Sequence, residues 1–405
     1  MPAALPQVVE VHHLDAENAD ALWQWLLHRQ GLHSDRRFTS ASAVAAATLG
    51  LHAARLPSPF ATVLARATQP AVALSLWDDR THRELVTLRC MRKTLHTMPV
   101  ALAGAAHSAT LHYRQRDALR QLTNAGVSDR LVTALIARIK SLLAERSHLT
   151  HRQIEERLAQ AGTPVPAARL ALKLAWECGE LTYRNRSGGW NREHRTFALT
   201  ATSHPDLHLS LDRDTATTRL IEAYFDRYGP ASLRDATWWS GLSRTAVVTA
   251  LDQAGRPLTA VSTPWADSTL YLPRARFEEF TRQRNEQSPA QVHFLAHEDV
   301  ALKAYAETRK RYLGALDEDS AFNQIGEALP AIVINGRVTG SWSWDVPTRA
   351  VRCRLHRTPA EGADRTAVRA AARQLTVALR AGYAEIRANR PAPHGLAELL
   401  PSPSP

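Results

Sequence analysis

The sequence predicts an α+β fold, mainly α: three tandem winged-helix units followed by a small C-terminal β-barrel or sheet. Three observations predict it. A grammar of helix, helix, strand, turn and strand recurs three times along the chain. The C-terminal part then changes from helical periodicity to short strand-like runs. The 405 residues also exceed the roughly 250 to 300 at which a single core stops growing, so several compact units are expected. With 44% hydrophobic and 22% charged residues, the composition is that of an ordinary folded chain.

In chain order, the first unit (15–115) takes its helices from "AENADALWQWLLHRQ" and "SASAVAAATLG". It turns a corner in "LGLHAARLPSPFATVLAR" (49–66) and continues as a strand in "ELVTLRCM" leading into "RKTLH". Between them "PAVALSLWDD" alternates as a strand would but opens on Pro70 as a helix would, and periodicity does not decide so short a run. The second unit (116–205) begins with a helix capped by Ser128, whose stripe is Leu131, Leu135, Ile136, Ile139, Leu142 and Leu143. Thr150 and Gln153 then form a capping box, Pro166 sits in the first turn of the next helix, and Gly179 supplies its left-handed stop. "ELTYR" and "RTFALT" are the paired strands, turned by Gly188 and Gly189. In the third unit (215–275) Ser232 caps "LRDATWW", Ser243 caps "RTAVVTALDQ", and Gly255 ends that helix before the strands "LTAVS" and "STLYLP". The last unit (285–390) has strands in "VHFLAH", "PAIVINGRVTGSWSW" and "AVRCRLH", a two-residue hairpin turn at Asn335-Gly336, and a closing helix in "DRTAVRAAARQLTVALRAGYAEIRAN". Residues 391–405, rich in proline and small side chains, are expected to be a disordered tail.

Fifty Lys and Arg against 39 Asp and Glu give a net charge of +11, a surplus that points to phosphates or an anionic membrane, although arginine-rich chains are also basic without such a partner. No run approaches the ~18 apolar residues of a membrane span, and "MPAALPQVVEVHH" lacks the basic flank and apolar core of a secretory leader, so a cytoplasmic protein is expected. Cys90, Cys178 and Cys353 are odd in number and far apart, which suggests neither a disulfide framework nor a zinc site. His148 and His151, like His107 and His112, lack the further ligands a metal needs, and no glycine-rich phosphate loop is present; neither metal nor cofactor is expected.

Repeated winged helices on a basic chain make double-stranded DNA the most economical partner, with a helix in a groove and wings along the phosphates. The middle wing carries Arg184, Arg186, Arg192 and Arg195 against Glu193, net +3, with Trp190 at its tip. Such a loop can track a backbone and wedge an aromatic ring at a distorted step, the alternative being a solvated basic hairpin. Winged helices also mediate protein contacts, so a non-catalytic regulator and an interaction scaffold stay open at this point.

Four segments narrow the choice. "RCMRKTLHTMP" (89–99), "GPASLRDATWWSGLS" (229–243), "VHFLAHEDVALKAYAETRKRYL" (292–313) and "PAIVINGRVTGSWSW" (330–344) resemble, in order and spacing, the winged-helix DNA glycosylases of the AlkZ/YcaQ-like family, and "MRKTLH" nearly matches that family's M-R-x-T-L-H. The resemblance spans nearly the whole chain. It implies three winged helices and a C-terminal β-barrel around a duplex-sized channel. It also implies a monofunctional hydrolase of the glycosidic bond of bulky alkylated purines, including crosslinked ones; some relatives protect producers of DNA-damaging compounds. A pseudo-repeated chain of this kind could work as a monomer, and a monomer is expected. Alkylation of a ring nitrogen makes the base cationic and a good leaving group, so such an enzyme has mainly to stabilise an oxocarbenium-like sugar and place a water. A bulky adduct resists extrusion, which makes an open channel a coherent alternative to base flipping.

In this family the corner corresponding to "GLHAARLPSPF" carries a glutamine, an apolar or small residue, and then glutamine or aspartate, which hold the water. Here those positions are His52, Ala53 and Ala54. His52, expected at a helix corner and looking into the channel, could bond the water or accept its proton, with an ordinary pKa near 6.5. Ala54 can do neither, so Arg55 or residues of "MRKTLH" would have to supply the missing polar group. Within that motif Arg92 could contact a phosphate, Thr94 could satisfy a backbone group, and His96 could face the same cavity; alternatively Thr94 and His96 fold the strand end back onto the core. Asp299 falls at the family's acidic position but reads better as a helix cap. Trp238 and Trp239 resemble a core anchor. The runner-up to catalysis is a non-catalytic DNA-binding protein, either a lesion sensor or a regulator.

Overall fold

A computed structural model describes residues 5–33, 35–283, 291–356 and 362–385. The proposed tail at 391–405 lies outside the described residues. About half of the chain is helical, and twelve strands among the described residues form four sheets. The first sheet joins β1 (Val8–His13), β7 (Leu258–Thr263) and β8 (Ala266–Pro273), and β1 runs parallel to β7. The second has the order β2-β4-β3, from Leu51–His52, Leu95–Pro99 and Leu85–Arg89. The third is the hairpin β5 (Leu181–Asn185) and β6 (Arg195–Leu199). The fourth is antiparallel, order β12-β11-β10-β9, from Ala350–Leu355, Arg337–Asp345, Ala331–Ile334 and Val292–Leu295.

This last sheet corrects the barrel expected for residues 285–390. Its four strands form an open array with β9 and β12 at the edges, and no closed barrel forms among the described residues. Helix Gly362–Ala381 lies against it, contacting β9 and β12. The hairpin at Asn335-Gly336 forms as expected: both residues have positive φ (50° and 76°), as a two-residue turn matched to strand twist requires.

The helical units are built by their caps. Thr150 and Gln153 bond reciprocally to open helix His151–Gln160, and Ser128 caps Asp129–Arg146. Ser232, with Asp235, and Ser243 cap Leu233–Ser240 and Arg244–Ala254, and Gly255 stops the latter at φ +61°. In both units the residue ahead of the short helix makes an isolated bridge to the hairpin, Leu149 to Phe197 and Ala231 to Tyr271. The undecided segment 70–79 resolves as helix: Ala71–Leu74, a 3₁₀ turn at Ser75–Trp77, then Asp79–Glu84. Helix Val100–Asn124 runs unbroken across 115–116, the position at which the first two units were divided.

Two buried polar clasps hold the C-terminal part against the rest. Arg66, just past helix Ser58–Leu64, donates two hydrogen bonds to Asp299 at 2.7 and 2.8 Å, and both side chains are fully buried. Asp299 also caps helix Val300–Lys303 through Ala301 N–H at 3.0 Å, as the cap reading expected. Asp235 accepts from the backbone N–H groups of Ala306 and Glu307 at 2.8 and 2.7 Å and from the Thr308 hydroxyl at 2.9 Å. The clasps fix the loops around 296–299 and 305–308 relative to the helical units, and the first sets up the site.

Candidate functional site

The corner begins where helix Ala41–Ala47 ends. Leu49 and Gly50 take positive φ (48° and 107°), which reverses the chain into β2, and a Cβ at Gly50 would lie 2.8 Å from Met98 Cγ. His52 therefore sits in a two-residue strand paired to β4, opposite His96, instead of at a helix corner. The two rings meet edge to face with centroids 5.6 Å apart. His52 is only 3% exposed, which corrects the expectation of an imidazole open to a channel, whereas Ala54 is exposed.

What surrounds the His52 ring is charged. Its Nε2 is 3.8 Å from Glu298 Oε2, and Glu298 forms a buried ion pair with Lys303. Neither ring nitrogen of His52 has a hydrogen-bond partner among the described residues. Burial first, then Lys303 and His96, push its pKa far below the ordinary range. The ring stays neutral at physiological pH, so it suits holding a polar group better than titrating near neutrality. His96 is lowered to about 3 by burial and Lys303; its Nδ1 lies 3.2 Å from the Thr94 carbonyl and 3.4 Å from the buried Cys90 thiol. His96 thus shares the cluster with His52 and also closes its own strand end.

Exposure rises outward from this pair. Side-chain exposure is 4% at Glu298, 15% at His297, 23% at Glu327 and 58% at Arg55. Arg55 bonds Glu327 at 3.3 Å, and His297 Nε2 lies 3.7 Å from the same carboxylate. Arg92 completes the group. It stands at positive φ (50°) in the turn between β3 and β4, its guanidinium lies 3.7 Å over the Trp238 ring, and its Nη1 is buried without a partner. Burial lowers its pKa while Glu298 and Glu327 oppose the shift. Trp239 is buried as an anchor; Trp238 is half-buried and serves as the platform for Arg92. The Thr94 hydroxyl donates to the Met91 carbonyl at 3.1 Å, closing that turn.

The residues of the β5–β6 hairpin divide. Trp190, expected at an exposed tip, is 5% exposed: its Nε1 donates to the Leu379 carbonyl at 2.7 Å, and its ring packs edge-on against Trp344 and Tyr383. This corrects the wedge, because an indole bound at both ring and N–H has nothing left to insert. Arg184 pairs with Asp79 at 2.6 Å, and Arg195 pairs with Glu193 at 2.8 Å while lying over Trp176 and Tyr183. Arg186 is exposed and Arg192 half-buried, and neither has a salt bridge among the described residues.

Sequence reasoning missed Glu298, Lys303, His297 and Glu327, all of which reach the corner from more than 200 positions away. It also missed His28, His33 and Asp35, whose ligand atoms lie within 4.8 Å of one another and could together chelate an ion. No helix among the described residues is long and apolar enough to cross a membrane.

A sequence model of the family described as "DNA glycosylase AlkZ-like" matches residues 45–377, most of the chain and all of the cluster around His52. The fold is similar to that of the Streptomyces sahachiroi DNA glycosylase AlkZ, at a TM-score of 0.69 and 22% identity, over 90% of this chain and 97% of that one. No curated protein sequence matches.

Proposed function

Since this chain belongs to the AlkZ-like family of DNA glycosylases, we propose that it hydrolyses the N-glycosidic bond of bulky alkylated purines, including crosslinked ones, in duplex DNA. The reaction is monofunctional and does not require the base to be flipped into a closed pocket. On this reading the three helix-and-hairpin units are winged helices lining a concave channel, and the chain works as a monomer. The single observation that carries the proposal is the corner cluster, in which His52, neutral and with both ring nitrogens unpartnered, faces a carboxylate at 3.8 Å. A neutral imidazole can both accept from and donate to a water, and the neighbouring carboxylate favours positive charge developing on the sugar. On this reading Arg92 and Arg55 would contact the phosphates flanking the lesion, with Arg186 and Arg192 on the wing.

The test is release of base from alkylated duplex, read as heat- or alkali-labile abasic sites. The wild-type protein is expected to produce them and His52→Ala far fewer; equal yields remove His52 from the mechanism. One observation favours a second reading. The burial of His52 and the exposure of the apolar Ala54 suit a lesion sensor that binds without cutting, which predicts tight, salt-sensitive binding and no release across a panel of lesions.

A further inference from the structure

The family's corner needs two polar groups, and this chain supplies one from β2 and none from Ala54. Resting on the glycosidic reading above, we propose that the second is Glu298, a catalytic carboxylate that holds the attacking water together with His52. Three observations carry this beyond a structural ion pair. The 3.8 Å between His52 Nε2 and Glu298 Oε2 is too long for a hydrogen bond, yet it is the separation of two atoms each about 2.8 Å from one oxygen at an angle near 90°. Both ring nitrogens of His52 are buried and unpartnered, a costly state for an imidazole whose only role is packing. Glu298 stands at φ +57°, a conformation that non-glycine residues adopt only when their surroundings impose it.

What imposes it is a clamp. Glu298 N–H donates to the Ala328 carbonyl at 2.8 Å, and Oε1 accepts from Ala328 N–H at 2.8 Å. Oε2, the oxygen nearest His52, is the one paired with Lys303. The carboxylate is thus fixed in position and its ionised form is balanced by a cation. Lys303 reaches it from the helix capped by Asp299, which the Arg66 clasp anchors.

The step balances. The water oxygen bonds to C1′ of the deoxyribose, and the C1′–N bond breaks with its electron pair passing to the base, which neutralises the positive charge that alkylation placed there. The water's proton passes to Glu298 Oε2 and then to solvent. The products are a neutral alkylated purine and an abasic sugar.

Single-turnover release from duplex carrying an N7-alkylated guanine tests this on wild type, Glu298→Gln and the double variant Glu298→Gln/Lys303→Met, with DNA affinity and melting temperature measured alongside. Expected is a rate loss of about 100-fold or more in Glu298→Gln, with affinity within about twofold of wild type. The double variant removes the lysine stranded by the amide and recovers melting temperature but not rate. If Glu298→Gln releases base at the wild-type rate, or if the double variant restores the rate, Glu298 is only structural and the proposal falls while the glycosidic reading stands. If the wild-type protein releases no base, both fall.

Discussion

Burial of neutral histidines should make this protein acid-labile well above the range where carboxylates titrate. His96, His107 and His293 are each lowered to about 3, burial being the leading cause in all three. His107 illustrates why. Its Nδ1 accepts from Arg114, a guanidinium that can only donate, so a protonated ring there would face a donor and a second positive charge. In the unfolded chain the same rings titrate near 6.5. Because the folded values are lower, the unfolded state binds more protons below pH 6.5, and stability that is intact above that pH is lost progressively down to about pH 3. At pH 5 each ring has cost about 1.5 pH units at 1.36 kcal/mol per unit, about 2 kcal/mol, and the three together about 6 kcal/mol. The result does not depend on the exact native value so long as it lies well below 5. With an unfolding entropy of about 2.1 cal/mol/K per residue, the 405-residue chain should lose about 7 °C in melting temperature between pH 7.5 and 5.0, and His52 adds to the loss in the same direction. Circular dichroism melts at constant ionic strength measure it, and His107→Gln should shrink the drop by about a third. A melting temperature that holds within about 1 °C over this range refutes the claim that these rings are kept neutral by the fold.

The Arg66–Asp299 clasp should behave as a buried pair: Asp299→Ala leaves an uncompensated guanidinium and costs about 3–5 kcal/mol, whereas Arg66→Met/Asp299→Leu recovers most of it. Thermal melts that place the single variant at the wild-type temperature contradict the burial. Trp190→Ala should cost about 3–5 kcal/mol while leaving DNA affinity nearly unchanged, since the ring packs on Trp344 and Tyr383. Arg186→Ala should do the reverse, sparing stability and lowering the salt slope of DNA binding by about 1. Melting curves and binding titrations across salt check both, and the opposite pattern overturns the placement of the β5–β6 hairpin.

Features fixed by neighbours in sequence were legible. A capping box depends on residues three apart, so Thr150 with Gln153 declared itself, as did the caps at Ser128, Ser232 and Ser243. The Asn335-Gly336 turn is equally local. Features fixed by distant partners were not. β1 alternates like any half-buried strand, and nothing in Val8–His13 announces a parallel partner at Leu258–Thr263. Whether β9 and β12 meet to close a barrel is decided by strand tilt and stagger, which a hydrophobic pattern does not encode. Trp190 misled for a related reason. It stands in a polar, glycine-containing hairpin, where composition argues exposure, but its burial comes from Leu379 and Tyr383 on the far side of the sequence.

The site shows the same division at closer range. His52 and His96 could be named because a corner and a nearby strand motif each carried one, and the pairing of β2 with β4 sets them opposite each other. Glu298 could not. In "LAHEDVALK" it stands beside Asp299, whose cap position is the obvious reading of an acid before an apolar run, and the two adjacent acids do opposite things. Asp299 neutralises Arg66 and disappears into the core, while the positive φ at Glu298 turns the next carboxylate the other way, toward Lys303 and His52. A two-residue acidic pair therefore both anchors the loop and presents a charge at the corner. That arrangement explains how a chain with alanine at position 54 can still bring a second polar group to its imidazole.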